Sequence, residues 1–155
     1  MAFSYRRTVY LADTDAAGVV YFARAMNMCH EAYEESLAAA KISLQQLIAD
    51  SAVRQHPPSG IAIPIVQAEI SFFRPMFCGD KLLINLVAQQ LSDNEFIVNY
   101  HIVLASSSEK KLAQGNTKHV CINPATRTRV KLPQTIIEWL KQYTRSQEPG
   151  VRSQE

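Results

Sequence analysis

Four segments in the second half of the chain, residues 61–73, 81–91, 95–106 and 111–122, are each rich in Val, Ile, Leu and aromatic residues. Such side chains suit a pleated, half-buried surface, so the segments read as four strands. The joins Cys78-Gly79-Asp80, Ser92-Asp93-Asn94 and Ser106-Ser107-Ser108-Glu109 are short polar turns, which predicts antiparallel hairpins between successive strands. Before them, residues 22–41 contain neither Pro nor Gly, and Met26, Cys29, Tyr33 and Leu37 recur at three- and four-residue steps. That spacing predicts one amphipathic helix of about five turns.

The remaining segments fit around these. Residues 5–11 are β-prone and mixed with charges, as expected of a first strand, and residues 12–18 break the pattern. Ser43 suits the N-cap of a short helix carrying Leu44, Leu47 and Ile48, ahead of the loop Pro57-Pro58-Ser59-Gly60. Pro133 opens a last helix to about Tyr143, and residues 146–155 form a polar tail. The order suits an α+β domain spanning residues 1–145, with an antiparallel sheet against one long helix. A length of 155 residues is right for one such domain.

Composition narrows the function classes. With 47% hydrophobic and 19% charged residues the chain is globular, and a net charge of +2 is too small for a broad phosphate-binding surface, so no nucleic-acid partner is expected. Nowhere do 18 uninterrupted apolar residues occur, and no apolar run follows a basic start, so no membrane span and no secretion are expected. Cys29, Cys78 and Cys121 are far apart and without zinc-ligand spacing, so they read as buried thiols in a reducing, cytoplasmic setting, with no metal and no cofactor. His56, His101 and His119 have neither metal spacing nor a serine nucleophile nearby, and read as loop or strand residues.

Chemistry concentrates just before the long helix. Asp13 and Asp15 sit in a largely apolar loop, and from spacing alone they organise a turn and favour the helix N-terminus. The run Asp13-Thr14-Asp15-Ala16-Ala17-Gly18-Val19-Val20-Tyr21 is, however, similar without a gap to D-x-D-x-x-G-(I/V)-V-(Y/W), the signature of the 4-hydroxybenzoyl-CoA thioesterase family. The likeness continues through Phe72-Phe73-Arg74-Pro75 and Gly79-Asp80, and the order of elements agrees over residues 4–142. The resemblance implies a hotdog fold, a five-stranded antiparallel sheet wrapped around one helix, with active sites where two protomers meet in a dimer or tetramer. It also implies that Asp15 is catalytic. Within the family, residues 12–21 and 63–80 most resemble a branch serving phylloquinone biosynthesis in photosynthetic bacteria. That implies hydrolysis of 1,4-dihydroxy-2-naphthoyl-CoA to 1,4-dihydroxy-2-naphthoate and CoA. Hydroxybenzoyl or short aliphatic thioesters are the enzymatic alternative, and a non-catalytic acyl-CoA-binding module is the alternative of another class.

A thioester makes sense of so sparse a site. The CoA thiol, with a pKa near ~8.5, leaves without a strong general acid, so one carboxylate acting as nucleophile or base suffices. Ala16, Ala17, Val19 and Val20 are expected to desolvate Asp15 in part, and the N–H groups of Tyr21 and Phe22 at the helix start to receive the oxyanion. A flat bicyclic acyl group would lie against Val19, Tyr21, Met26 and the strand carrying Ile63, Pro64, Ile65 and Val66. The sequence departs from the family where Arg24-Ala25 replaces a common Asn-Tyr, and where His30 replaces an acidic residue that meets a substrate hydroxyl. His30 reads equally as a hydroxyl partner and as a helix residue bonded within the protein. Arg74, Lys110, Lys111, Lys118, Arg127 and Arg129 are the candidates for the CoA phosphates, of which only a subset serves.

Overall fold

Five strands do assemble into one sheet. The computed structural model describes residues 2–45, 47 and 60–144. Strands β1 (Phe3–Thr8), β2 (Ile65–Phe72), β3 (Lys81–Gln90), β4 (Glu95–Leu104) and β5 (Ser107–Val120) run antiparallel in the order β1-β3-β4-β5-β2. Helix α1 (Phe22–Ala39) packs on β1 and β3, and a shorter α2 (Gln134–Tyr143) packs on β3.

The core lies between α1 and the inner face of the sheet. Leu82, Ile84, Leu86 and Ala88 of β3 and Phe96, Val98, Tyr100 and Ile102 of β4 are buried at every second position, the period of a strand with one covered face. Each fully buried large side chain contributes roughly 1.5–3 kcal/mol. The buried stripe of α1 is Ala25, Met28, Cys29, Ala32, Tyr33, Ser36 and Leu37. Ala25 therefore takes the place expected of Met26, which lies half-buried on the flank. The 100° step from 25 to 26 turns Met26 aside, and the small Ala25, Cys29, Ala32 and Ser36 let the sheet approach closely. Trp139 of α2 is tied to this stripe, its Nε1–H donating to Ser36 Oγ at 3.0 Å.

Local boundaries shift for identifiable reasons. β1 ends at Thr8 rather than Leu11 because residues Leu11–Asp13 curl into a single 3-10 turn. The long helix ends without glycine: Lys41 takes φ 63°, and the Ile42 N–H reaches back to the Leu37 carbonyl at 3.0 Å. The β4–β5 turn is Ala105-Ser106 alone, so residues 107–109 lie in β5.

The largest difference concerns residues 78–80, which do not close a hairpin between β2 and β3. β2 lies on the far edge against β5, whereas β3 lies between β1 and β4. The turn docks on the end of β1: Gly79, at φ 92°, donates its N–H to the Val9 carbonyl at 2.8 Å, and the Val9 N–H donates to the Asp80 carbonyl at 2.9 Å. The β2–β5 pairing depends on Gly115, where a Cβ would lie 2.6 Å from the Glu69 carbonyl oxygen.

Cys29 and Cys121 are buried free thiols, and burial pushes the Cys29 thiol up to about 12. Cys78, also expected to be buried, is exposed on the crossover turn. Near the short helix, Leu44 and Gln45 are helical and the Leu47 N–H donates to the Ser43 carbonyl at 2.9 Å. Ile48, His56, Pro57, Pro58, Ser59 and the tail at 146–155 lie outside the described residues. No described helix is long and apolar enough to cross a membrane.

Candidate active site

The loop between β1 and α1 is built in two parts, one buried and one displayed. In the first, Asp13 is 4% exposed. Its carboxylate accepts Arg7 Nη1–H at 2.7 Å, Arg7 Nη2–H at 3.2 Å and the Tyr10 N–H at 2.8 Å. Burial alone would raise the pKa of this carboxyl; the guanidinium and the amide outweigh it and hold Asp13 below the usual carboxylate range. Asp13 therefore shapes the loop, as the spacing suggests.

The second part is a tight turn that presents Asp15. Gly18 N–H donates to the Asp15 carbonyl at 3.0 Å, Asp15 N–H donates to the Val19 carbonyl at 2.9 Å, and Thr14 pairs with Val20. Gly18 sits at φ 83°, a left-handed conformation that side chains disfavour. The turn is anchored to the crossover segment by the Val20 N–H, which donates to the Met76 carbonyl at 2.9 Å, and by a Val19–Phe77 bridge. Asp15 Oδ1 accepts the Ala17 N–H at 2.8 Å; among the described residues Oδ2 has no partner. One carboxylate oxygen is held within the turn and the other is not.

Asp15 opens into a groove of about 440 Å³ whose other walls are Val19, Tyr21 and Phe22 on one side and Phe72, Phe73 and Arg74 on the other. The expected desolvation by the loop itself is corrected here. Asp15, Ala16 and Ala17 are all exposed and Val20 turns into the core, because the turn projects away from the sheet. The aromatic walls are themselves open: Phe22 is 59% exposed, Phe73 54% and Phe72 44%. Large clustered apolar exposure of this kind marks a binding surface.

The oxyanion pair is also corrected. The Tyr21 N–H is spent on the Asp13 carbonyl at 3.0 Å. The Phe22 N–H, at the first position of α1, has no acceptor among the described residues and remains available.

The expected acyl-binding residues are divided in space. Val19 lines the Asp15 groove, whereas His30, Ile63 and Pro64 line a second groove of about 460 Å³ with Tyr33, Glu34 and Leu37. Phe22, Met26, His30 and Glu34 follow one flank of α1, so about 12 Å of helix separates Phe22 in one groove from His30 in the other. His30 Nδ1 lies 3.0 Å from Glu34 Oε1, both side chains half-exposed. Ile65 and Val66 lie exposed on the edge strand β2.

The cations divide likewise. Arg74 lines the Asp15 groove, and its N–H donates to the Leu112 carbonyl at 3.2 Å, which brings the exposed Lys110 and Lys111 to the same end of β5. Lys118 lies toward the opposite end of β5, paired with Gln67. Arg127 is exposed at φ 62°, and Arg129 donates to Glu95 and Asn94, each at 3.3 Å. Arg7, Phe72 and Phe73 were not among the sequence candidates. For Arg7 the signal was alternation, since Phe3, Tyr5 and Arg7 share one face of β1.

Residues 9–140 match the family model of the thioesterase-like superfamily. The 1,4-dihydroxy-2-naphthoyl-CoA hydrolase of Gloeothece citriformis is 54% identical over 136 residues, 88% of this chain and 90% of that one. The protein of the same name from Microcystis aeruginosa is 48% identical over 95% of this chain and 99% of its own. The crystal structure of a 1,4-dihydroxy-2-naphthoyl-CoA thioesterase from Synechocystis superposes with a TM-score of 0.82 at 43% identity, covering 91% of this chain and 96% of that one.

Proposed function

The chain belongs to the thioesterase-like superfamily, and on that premise we propose that it hydrolyses 1,4-dihydroxy-2-naphthoyl-CoA to 1,4-dihydroxy-2-naphthoate and CoA. The relatives named above support the substrate. The observation that carries the chemistry is Asp15 Oδ2, which has no partner among the described residues and opens into an aromatic groove at the start of α1.

Asp15 Oδ2 attacks the thioester carbonyl carbon, and the oxyanion so formed takes a hydrogen bond from the Phe22 N–H. The C–S bond breaks, CoA leaves as thiolate, and water cleaves the mixed anhydride to release the acid and restore Asp15. Activation of water by Asp15 is the other route to the same products. Phe72, Phe73 and Phe22 offer flat apolar area to a fused aromatic ring, and Arg74, Lys110 and Lys111 are the cations suited to the CoA phosphates.

A second protomer completes this site. β2 is an edge strand exposed along nearly its whole length, and it continues into the aromatic cluster around Asp15. Edges of this kind are covered in stable proteins. A partner laid there desolvates Asp15 and brings the two grooves and the divided cations into shared sites. Three unpaired thiols suit the cytoplasm as the compartment.

Thiol release from dihydroxynaphthoyl-, 4-hydroxybenzoyl- and butyryl-CoA, measured on protein whose sedimentation is followed in parallel, tests the reading. The bicyclic substrate should lead in kcat/KM by roughly 10- to 100-fold, the scale on which apolar pockets discriminate, and the protein should sediment as a dimer or tetramer. No thiol from any substrate would leave an acyl-CoA-binding module. Equal rates would remove the substrate assignment, and a fully active monomer the shared site.

A further inference from the structure

We propose that Arg7 is a positioning residue for thioester hydrolysis, holding the Asp15 turn in register with the start of α1. The proposal rests on the hydrolase reading above.

The arrangement around Arg7 is unusual for a first strand. Its side chain is 13% exposed and lies between two carboxylates from different elements. Nη1 and Nη2 donate to the two oxygens of Asp13, at 2.7 and 3.2 Å. Nε and Nη2 donate to the two oxygens of Glu31 on α1, at 2.9 and 3.4 Å. Nη1 also donates to the Thr8 carbonyl at 2.6 Å, and the guanidinium lies 5.0 Å from the centre of the Tyr10 ring. Only a planar fork serves two carboxylates in this way; an ammonium cannot.

Asp13 passes the constraint on. Its carbonyl accepts the Tyr21 N–H, so the residue two before Asp15 is tied to the residue just before Phe22. The carboxylate and the free N–H of the proposed reaction therefore hang from one residue, and Arg7 orients that residue while gripping the third turn of α1. Arg7 faces a different groove, lined by Tyr5, Tyr10, Glu31 and Lys81, and lines no part of the Asp15 groove. It touches no substrate there.

Stability alone is a poor account of the cluster. Desolvating a charged network offsets most of its attraction, and apolar replacements of buried ion pairs are often as stable. What the network supplies is a fixed geometry, and misplacing a reacting group by about 1 Å costs on the order of 10²-fold in rate.

Arg7→Lys retains the charge and loses the fork. It should fold, lower kcat by about 10- to 100-fold with KM within about threefold, and speed amide exchange over residues 16–22. The double variant Arg7→Met/Asp13→Asn removes the buried pair together and leaves only Glu31, whose side chain is 36% exposed and can turn to solvent, and it should show the same kcat loss and faster exchange. In an Asp15→Asn background, Arg7→Lys should lower the residual rate by only a few-fold, because one of the two groups it positions is already gone and only the Phe22 N–H is left to misplace. Unchanged kcat and exchange in Arg7→Lys would overturn the proposal. So would an equal loss in the Asp15→Asn background, which marks a general structural effect. An inactive parent protein would instead sink the hydrolase reading and with it the catalytic role, while the exchange data would still decide whether Arg7 fixes the turn.

Discussion

Asp15→Asn should fold as the parent chain does and lose at least ~10²-fold of its thioester turnover, the range of a missing acid–base or nucleophilic group. The amide is nearly isosteric, and its oxygen can still accept the Ala17 N–H that Oδ1 accepts at 2.8 Å. Asp15 is exposed, so the change strands no buried charge. What disappears is the free carboxylate oxygen. Asp13→Asn should behave differently, because Asp13 is buried against Arg7 and its second oxygen would become an NH2 facing a guanidinium. Its stability should fall by about 2 kcal/mol, the worth of one charge-assisted hydrogen bond. Steady-state hydrolysis and urea unfolding of the two variants separate these effects. Turnover near the parent rate in Asp15→Asn would end the assignment of Asp15.

His119 should make the fold acid-sensitive in a window well above the carboxylates. The ring is 1% exposed, stacked on Phe96 with centroids 4.6 Å apart and planes 7° apart, and 4.7 Å from the Tyr33 ring. Nε2 lies 2.8 Å from Thr117 Oγ1, which lies 3.1 Å from the Tyr100 hydroxyl, while Nδ1 has no partner among the described residues. Burial, with a smaller contribution from nearby His30, pulls the His119 pKa from 6.5 down to about 4. The unfolded chain takes up this proton near pH 6.5 and the folded chain only near 4, so the unfolded state binds more protons in between. Stability is therefore full above pH 6.5 and declines by roughly 3 kcal/mol as pH falls to about 4. Urea unfolding at pH 7 and pH 4 should show this extra loss in the parent and not in His119→Phe, which keeps the aromatic stack and cannot take a proton. Equal losses in both would place the acid sensitivity elsewhere.

Sequence candidates and structure diverge where burial and hydrogen-bond partners depend on how segments fold against one another. Tyr21 and Phe22 looked equivalent as N–H donors, since both stand at the start of a helix; the Asp13 carbonyl, eight residues before Tyr21, takes one and leaves the other. The apolar neighbours of Asp15 suggested a shielded carboxylate, yet a turn can be apolar and still project outward when the sheet lies behind it. His119 gave no signal beyond its strand position, because its burial comes from Phe96 and from Tyr33 on α1.

What the sequence by itself determined was the helix, the strands and the Asp15 turn, each carried by a short-range pattern. The helix over residues 22–39 follows from spacing and the absence of Pro and Gly, the strands from side-chain shape, and the Asp15 turn from a motif in which Gly18 adopts the left-handed conformation its position needs. Only the tertiary structure decided the strand order β1-β3-β4-β5-β2, the docking of residues 78–80 on β1 instead of a hairpin, the grip of Arg7 on Asp13 and Glu31, and the separation of Val19 from His30, Ile63 and Pro64. The reason is that propensity and turn chemistry act within a few residues, whereas pairing order, burial and charge partners depend on which distant segments the whole sheet brings together.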